Sequence, residues 1–230
     1  MFDRIAGRYD LMNSVMSAGL HHRWRVRASD EARLEPGGRA LDVCCGTGDF
    51  ALELKRRVGR EGEVVGLDFS EPMLVRAREK SRRLGLEASF ERGNALELPH
   101  EDATFDATTI GFGLRNLVDF RGGIAELARV VRPGGRVVIL EITTPARPPL
   151  SWFFAVWFDR VVPLLGTLAG DRDAYTYLQS SVRRFPAAPA LAQLMAEAGL
   201  REVGYRLMAG GIVAVHAGTV PPAASNEDGA

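Results

Sequence analysis

From residue 40 onward, short apolar runs alternate with longer stretches whose apolar positions recur at helical spacing. Residues 40–45 (ALDVCC), 63–68 (EVVGLD), 88–92, 105–111 and 136–142 (RVVILEI) are short and mostly apolar, as strands covered on both faces are. Residues 50–58, 71–84 and 120–131 carry the helical period, and 186–200 reads as a further helix closing on Gly199. This alternation predicts a mostly parallel sheet with crossover helices. Pro72 suits the first turn of its helix, where a missing N–H costs nothing, and Pro133-Gly134-Gly135 should end the helix before the fifth strand. Residues 202–208 and 212–217 flank Gly210-Gly211, a hairpin signal that predicts an antiparallel addition at the sheet's edge. There is no internal repeat. One domain over residues 1–220 is expected, with residues 221–230, small and polar, as a disordered tail.

Residues 149–168 (PLSWFFAVWFDRVVPLLGTL) break the rhythm. They hold Trp152, Phe153, Phe154, Trp157 and Phe158 within seven positions. Asp159, Arg160 and Pro163 interrupt the run before the roughly 20 apolar residues that a membrane span needs. A core or dimer-interface helix, a lid over an apolar ligand and a face resting on a membrane all stay open.

Composition narrows the function classes. The 29 basic residues balance 29 acidic ones, so bulk attraction to nucleic-acid phosphates has no support. The only cysteines, Cys44 and Cys45, are adjacent and would point to opposite faces of a strand, which argues against a disulfide or a metal site. No apolar stretch follows the N-terminal charges, so a cytoplasmic protein without signal or anchor is expected. Residues 1–33 hold six arginines and four acids, enough for transient contact with an anionic bilayer at its inner face and too little for anchoring.

The chemistry concentrates in Leu41-Asp42-Val43-Cys44-Cys45-Gly46-Thr47-Gly48-Asp49, followed by Asp68 at the tip of the next strand. Gly46 and Gly48 let the backbone turn and approach a ligand, and an acid at Asp68 can accept hydrogen bonds from ribose hydroxyls. A dinucleotide fingerprint would have a third glycine where Ala51 stands, and Asp49 at the helix start would repel a pyrophosphate. A nicotinamide dinucleotide is therefore disfavoured. S-adenosylmethionine, a cation without phosphate, fits better.

These residues resemble the first two motifs of class I S-adenosylmethionine-dependent methyltransferases. The closer resemblance, over nearly the whole chain, is to the ubiquinone/menaquinone C-methyltransferase family. It rests on Met1-Phe2-Asp3-Arg4-Ile5-Ala6 leading to Arg8-Tyr9-Asp10 and Asn13, on Gly111-Phe112-Gly113-Leu114-Arg115-Asn116, on Tyr175-x-Tyr177-Leu178 through Phe185-Pro186, and on Gly210-Gly211-Ile212-Val213-Ala214. The resemblance implies a Rossmann-like α/β fold: a seven-stranded, mostly parallel sheet, an antiparallel C-terminal hairpin and a helical lid at about 146–185. It implies that Thr47, Asp68, Asn94 and Ala95 contact the cofactor, with Asn94 offering donor and acceptor to the adenine. Asp42, Gly46, Gly48 and Gly111 are grouped with them, Gly111 through backbone alone because family members commonly carry serine there. No metal is implied. The implied reaction is methylation of a ring carbon of a prenylated quinol, most readily demethylmenaquinol. Another small apolar or polyketide substrate and a silent scaffold stay as alternatives.

A quinol carbon becomes nucleophilic when the neighbouring hydroxyl loses its proton. Arg115 could stabilise the phenolate, Asn116 could orient Arg115, and Tyr9 is implied in the same network. Of the histidines, His21 or His22 is a weaker candidate for general base, His100 reads as a surface residue, and His216 as a core or edge residue away from the cofactor.

Overall fold

The computed structural model describes residues 14, 17, 19–145, 148, 150–156, 160 and 172–222. Its seven strands are β1 Arg39–Val43, β2 Glu63–Asp68, β3 Ser89–Arg92, β4 Phe105–Gly111, β5 Val131–Ile142, β6 Arg201–Met208 and β7 Val213–Thr219. They form one sheet in the order β3-β2-β1-β4-β5-β7-β6. The first five pair in parallel. β7 runs antiparallel to both β5 and β6. The expected hairpin therefore forms, but its second strand inserts between β5 and β6. The reversed strand is internal, and β6 makes the edge.

The helices are α1 Leu20–Glu31, α2 Asp49–Val58, α3 Glu71–Leu84, α4 Phe120–Arg129, α5 Leu150–Val156, α6 Arg172–Arg184 and α7 Ala188–Glu197. Side chains alternate between the two sheet faces with the period of the strand. In β5, Val138 and Leu140 join Phe50 and Leu54 of α2 and Leu74 of α3 on one face. Val137 and Ile139 join Ile124 and Leu127 of α4 and Met195 of α7 on the other. Both faces are covered, which is why the strand reads as an unbroken apolar run.

Element boundaries follow local chemistry. α3 has the expected bounds, with Pro72 in its first turn and Gly85 ending it at φ 64°. β5 starts earlier than residue 136, because Val131 already pairs with Phe105, and the register shifts between Phe105 and Ala107. Pro133-Gly134-Gly135 consequently lies inside β5 and does not separate it from α4. Cys44 and Cys45 lie beyond the end of β1, with Cys44 at φ 54°, and both are free thiols.

The chain's two lysines each hold a specific place. Lys55 is buried and donates to the carbonyls of Gly62 and Arg60 at 2.6 and 3.2 Å. Lys80 donates to Asp49 at 2.6 Å and to Thr47 Oγ1 at 3.1 Å. A compact ammonium with three donors fits such convergent acceptors.

Among the described residues no helix is long and apolar enough to cross a membrane. α5 presents Trp152 at 71% exposure, with Leu150 and Val156 also exposed, and buries Phe154. Trp157, Phe158 and residues 161–171 lie outside the described residues, as do 223–230 of the expected tail.

Candidate active site

The order β2-β1-β4 places the topological switch point at the carboxyl ends of β1 and β4, where open α/β sheets bind ligands. A cavity of about 620 Å³ opens there. Gly46, Asp68, Asn94, Ala95, Gly111 and Asn116 of the expected site line it.

Asp68 is held by the backbone. Its Oδ2 accepts from Gly46 N–H and its Oδ1 from Ser70 N–H, both at 2.9 Å. Gly46 has φ 55°, a conformation that costs an ordinary residue about 1–2 kcal/mol. Two fixed donors set the carboxylate's orientation before any ligand arrives. Phe69 and Met73 extend the lining beside it, and Arg92 holds the Phe69 carbonyl at 3.1 Å. Across the cavity, Asn94 Oδ1 accepts from Leu96 N–H at 3.0 Å. The resemblance implies an asparagine amide offering both a donor and an acceptor. The backbone turn uses one of the oxygen's two lone pairs, so the amide keeps both an acceptor and the NH2 donors to offer a ligand.

Three expected cofactor residues support the loop from outside the cavity lining. Asp42 is 1% exposed, and its oxygens accept from Ala51 N–H at 2.9 Å and Thr109 Oγ1–H at 2.8 Å. Burial pushes its pKa up to about 7, against the lowering effects of Thr109, Arg25 and Ala51. Thr47 is buried and engaged by Lys80. Gly48 has φ 83°, and a Cβ there would sit 2.9 Å from the Phe90 ring. Position 111 is glycine because a Cβ would stand 2.9 Å from Phe50 Cδ1. The phenyl ring occupies the space a serine side chain would need.

The sequence suggests that Asp49 at the helix start suits a cationic ligand. Its cations are the protein's own: Lys80 lies at 2.6 Å and Arg25 at 3.9 Å. Burial opposes ionisation, but Arg25 and Lys80 outweigh it and hold the carboxyl below its ordinary range. Arg25 also contacts buried His21 Nδ1 at 2.5 Å, and Ser14 Oγ meets the other ring nitrogen at 3.1 Å. His21 is thus built into a network, with no free nitrogen for a general base. His21, His22 and Asp49 lie close enough for a metal ion, but Arg25 and Lys80 already neutralise that corner. His216 is buried, and its Nε2 is 2.9 Å from Ala188 O, away from the cavity as expected. His100 is not a plain surface residue: its ring meets Phe105 edge-on and its Nε2 lies 2.8 Å from Glu91.

Arg115 and Asn116 sit in a 3-10 turn, Leu114–Asn116, after β4. Asn116 lines the cavity, and its Oδ1 is buried without a partner among the described residues. Arg115 is not in the lining, although Phe112, Gly113 and Asn116 around it are. Its Nη1 donates to both oxygens of Glu141 at 3.0 Å and to Phe112 O at 2.5 Å. Tyr9, with Asp10 and Asn13, lies outside the described residues.

Sequence reasoning overlooked Glu141, Phe69 and Met73, and it named Tyr177 only within a motif, without a place in the site. Glu141 left a signal, since an acid inside the run VVILEI must find a buried partner. Tyr177 of α6 lines the cavity, so this helix contributes directly to its wall. Cys44 lines it too. Burial, Asp68, Asp42 and Glu141 all push its thiol pKa up, and only Arg115 pulls the other way, so Cys44 stays protonated and is no nucleophile.

A model of the ubiE/COQ5 methyltransferase family matches residues 1–220. The chain belongs to this family. Its relatives include a demethylmenaquinone methyltransferase of Thermus thermophilus, 47% identical over 96% of this chain and 100% of that protein. Another, of Desulfitobacterium hafniense, is 43% identical over 96% of this chain and 88% of that protein. Solved structures of S-adenosylmethionine-dependent methyltransferases share the fold. One from Aquifex aeolicus has a TM-score of 0.60 at 21% identity, covering 81% of this chain and 84% of that one. One from Thermotoga maritima has a TM-score of 0.62 at 21% identity, covering 95% and 98%.

As a ubiE/COQ5 methyltransferase the chain uses S-adenosylmethionine, and the cavity's donor set fits it. Asp68 brings a backbone-held carboxylate of the kind that accepts from ribose hydroxyls, Phe69, Met73 and Ala95 give an apolar wall for a base, and Asn94 adds a donor.

Proposed function

We propose that the chain methylates a ring carbon of demethylmenaquinol, giving menaquinol. The observation that carries this reading is the run of demethylmenaquinone methyltransferases at 41–47% identity over 95–96% of the chain. S-adenosylmethionine supplies an electrophilic methyl group on sulfur. The protein's part is to align two reactants, exclude water and stabilise a developing phenolate. Deprotonation of the hydroxyl raises electron density on the adjacent carbon, which would take the methyl group that the bound sulfonium would supply, the displaced pair going to sulfur and the ring proton to solvent. Arg115 supplies the positive charge for the phenolate, Asn116 an acceptor facing the reactants, and Asp68, Asn94 and Ala95 hold the cofactor. Tyr9 joins Arg115 and Asn116 in this reading on the resemblance alone.

The prenyl tail needs an apolar path. Each buried methylene contributes roughly 0.8 kcal/mol, and exposed Trp152, Leu150 and Val156 of α5 offer such a surface. The reading includes contact of this face with the bilayer that holds the substrate. Arg23 and Arg27 of α1 are exposed, whereas Arg25 is turned inward, so the basic contribution of this helix is smaller than the sequence count suggests.

The test is incubation with methyl-labelled S-adenosylmethionine and long-chain demethylmenaquinol. Label on the quinone ring carbon is expected; label on oxygen or nowhere removes the proposal. Co-flotation with anionic vesicles, lost in Trp152→Ser, supports membrane contact. A concentration-dependent dimer that the same substitution dissolves would assign this face to a second copy.

A further inference from the structure

We propose that Glu141 is a positioning residue for the transfer step, holding Arg115 so that its Nε–Nη2 edge meets the ring oxygen beside the methylated carbon. This rests on the quinol reading above.

The geometry of the pair is uncommon for a guanidinium and a carboxylate, which usually meet through two parallel bonds from two nitrogens. Here Glu141 meets Arg115 end-on: both oxygens accept from the single nitrogen Nη1 at 3.0 Å, and Phe112 O takes the same nitrogen at 2.5 Å. The carboxylate is itself fixed by backbone, with Oε2 accepting from Ile142 N–H at 2.8 Å and Oε1 from Arg115 N–H at 3.3 Å. One side of the guanidinium is thus crowded and the other is idle. Nε is buried, and among the described residues none accepts from Nε or Nη2. The Arg115 side chain is only 11% exposed and that of Glu141 1%. A buried guanidinium with an idle edge is costly unless a ligand brings an acceptor.

That idle edge has the geometry of a fork for an anionic oxygen. A phenolate is such an oxygen, formed when the quinol hydroxyl gives its proton to water. The flanking residues Phe112, Gly113 and Asn116 line the cavity, which places the turn that carries Arg115 at its wall. A lysine could satisfy Glu141 but would bring no second edge. Glu141 comes from β5 and Arg115 from the turn after β4, so the sheet holds the orientation and no ligand contact is needed to set it.

Three variants test this: Glu141→Asp, which keeps the charge and withdraws it, Glu141→Gln, which keeps the shape, and Arg115→Lys. Each is measured for S-adenosylmethionine affinity by calorimetry, for thermal stability, and for kcat and KM across pH with demethylmenaquinol. All three should bind the cofactor within about threefold of the parent and lose at least tenfold in kcat with little change in KM. In Glu141→Asp the acid limb of the kcat profile should move to higher pH, because the phenolate has lost its oriented donors. Wild-type kcat and pH profile in Glu141→Asp, or full activity in Arg115→Lys, overturns the proposal. So does a loss of cofactor affinity parallel to the loss of kcat, which marks a purely structural role. If Glu141→Gln does not fold, Glu141→Asp, which keeps the buried charge, decides. An inactive parent protein would instead sink the quinol reading.

Discussion

Replacing Asp42 separates support of the cofactor loop from contact with the cofactor. In Asp42→Ala, Ala51 N–H and Thr109 Oγ1–H lose their acceptors at a site that is 1% exposed. Each buried unsatisfied donor costs about 1–3 kcal/mol, so the alanine variant should lose about 2–6 kcal/mol. Asp42→Asn keeps an oxygen for Ala51, and the Thr109 hydroxyl can rotate to accept from the new NH2, so its loss should be small. The asparagine also removes a titration. Burial holds the Asp42 pKa at about 7 against an ordinary 3.8. The folded state therefore binds the proton more tightly than the unfolded state, and this stabilisation is full below the unfolded value and lost as pH rises through about 7. Every tenfold difference in proton affinity between the two states is worth about 1.36 kcal/mol. Between pH 5 and pH 8 the aspartate should accordingly lose about 3 kcal/mol relative to the asparagine. Urea unfolding of both proteins at the two pH values measures this directly. A pH-independent difference between them refutes the linkage. A large loss of S-adenosylmethionine affinity in Asp42→Asn, with unfolding unchanged, refutes the assignment of Asp42 to loop support.

Four further outcomes are expected. Asp68→Asn should weaken S-adenosylmethionine by roughly 1.5–3 kcal/mol, about 10- to 150-fold by calorimetry, because it removes a charged acceptor. Gly48→Ala should cost about 2–5 kcal/mol in a denaturant melt, since φ is 83° and the new Cβ meets Phe90 and Ala77 at 2.9–3.0 Å. His216 has its pKa lowered by burial, partly offset by its bond to Ala188; its stabilisation is present above the unfolded value and falls as pH drops toward the folded one, so His216→Gln should flatten the acid side of the stability curve. Neither cysteine should react with iodoacetamide at pH 8 in the folded protein, because burial and nearby carboxylates raise both thiols; alkylation by mass spectrometry tests it.

The sheet-and-helix alternation, the hairpin, the glycine loop with Asp68 and the family were all legible along the chain. These features are local: a strand's apolar run, a helix's period and a glycine's φ depend on near neighbours in the chain. The tertiary structure decided what depends on distant partners. It placed β7 inside the sheet, because the antiparallel pairing partners of a strand are set by packing. It turned Arg25 inward to Asp49 and put Asp42 under the loop through Thr109, 67 residues away. It joined Arg115 to Glu141 across 26 residues and two strands. A motif shows that a charged side chain is present; which of its edges is free for a ligand depends on which buried group has taken the other.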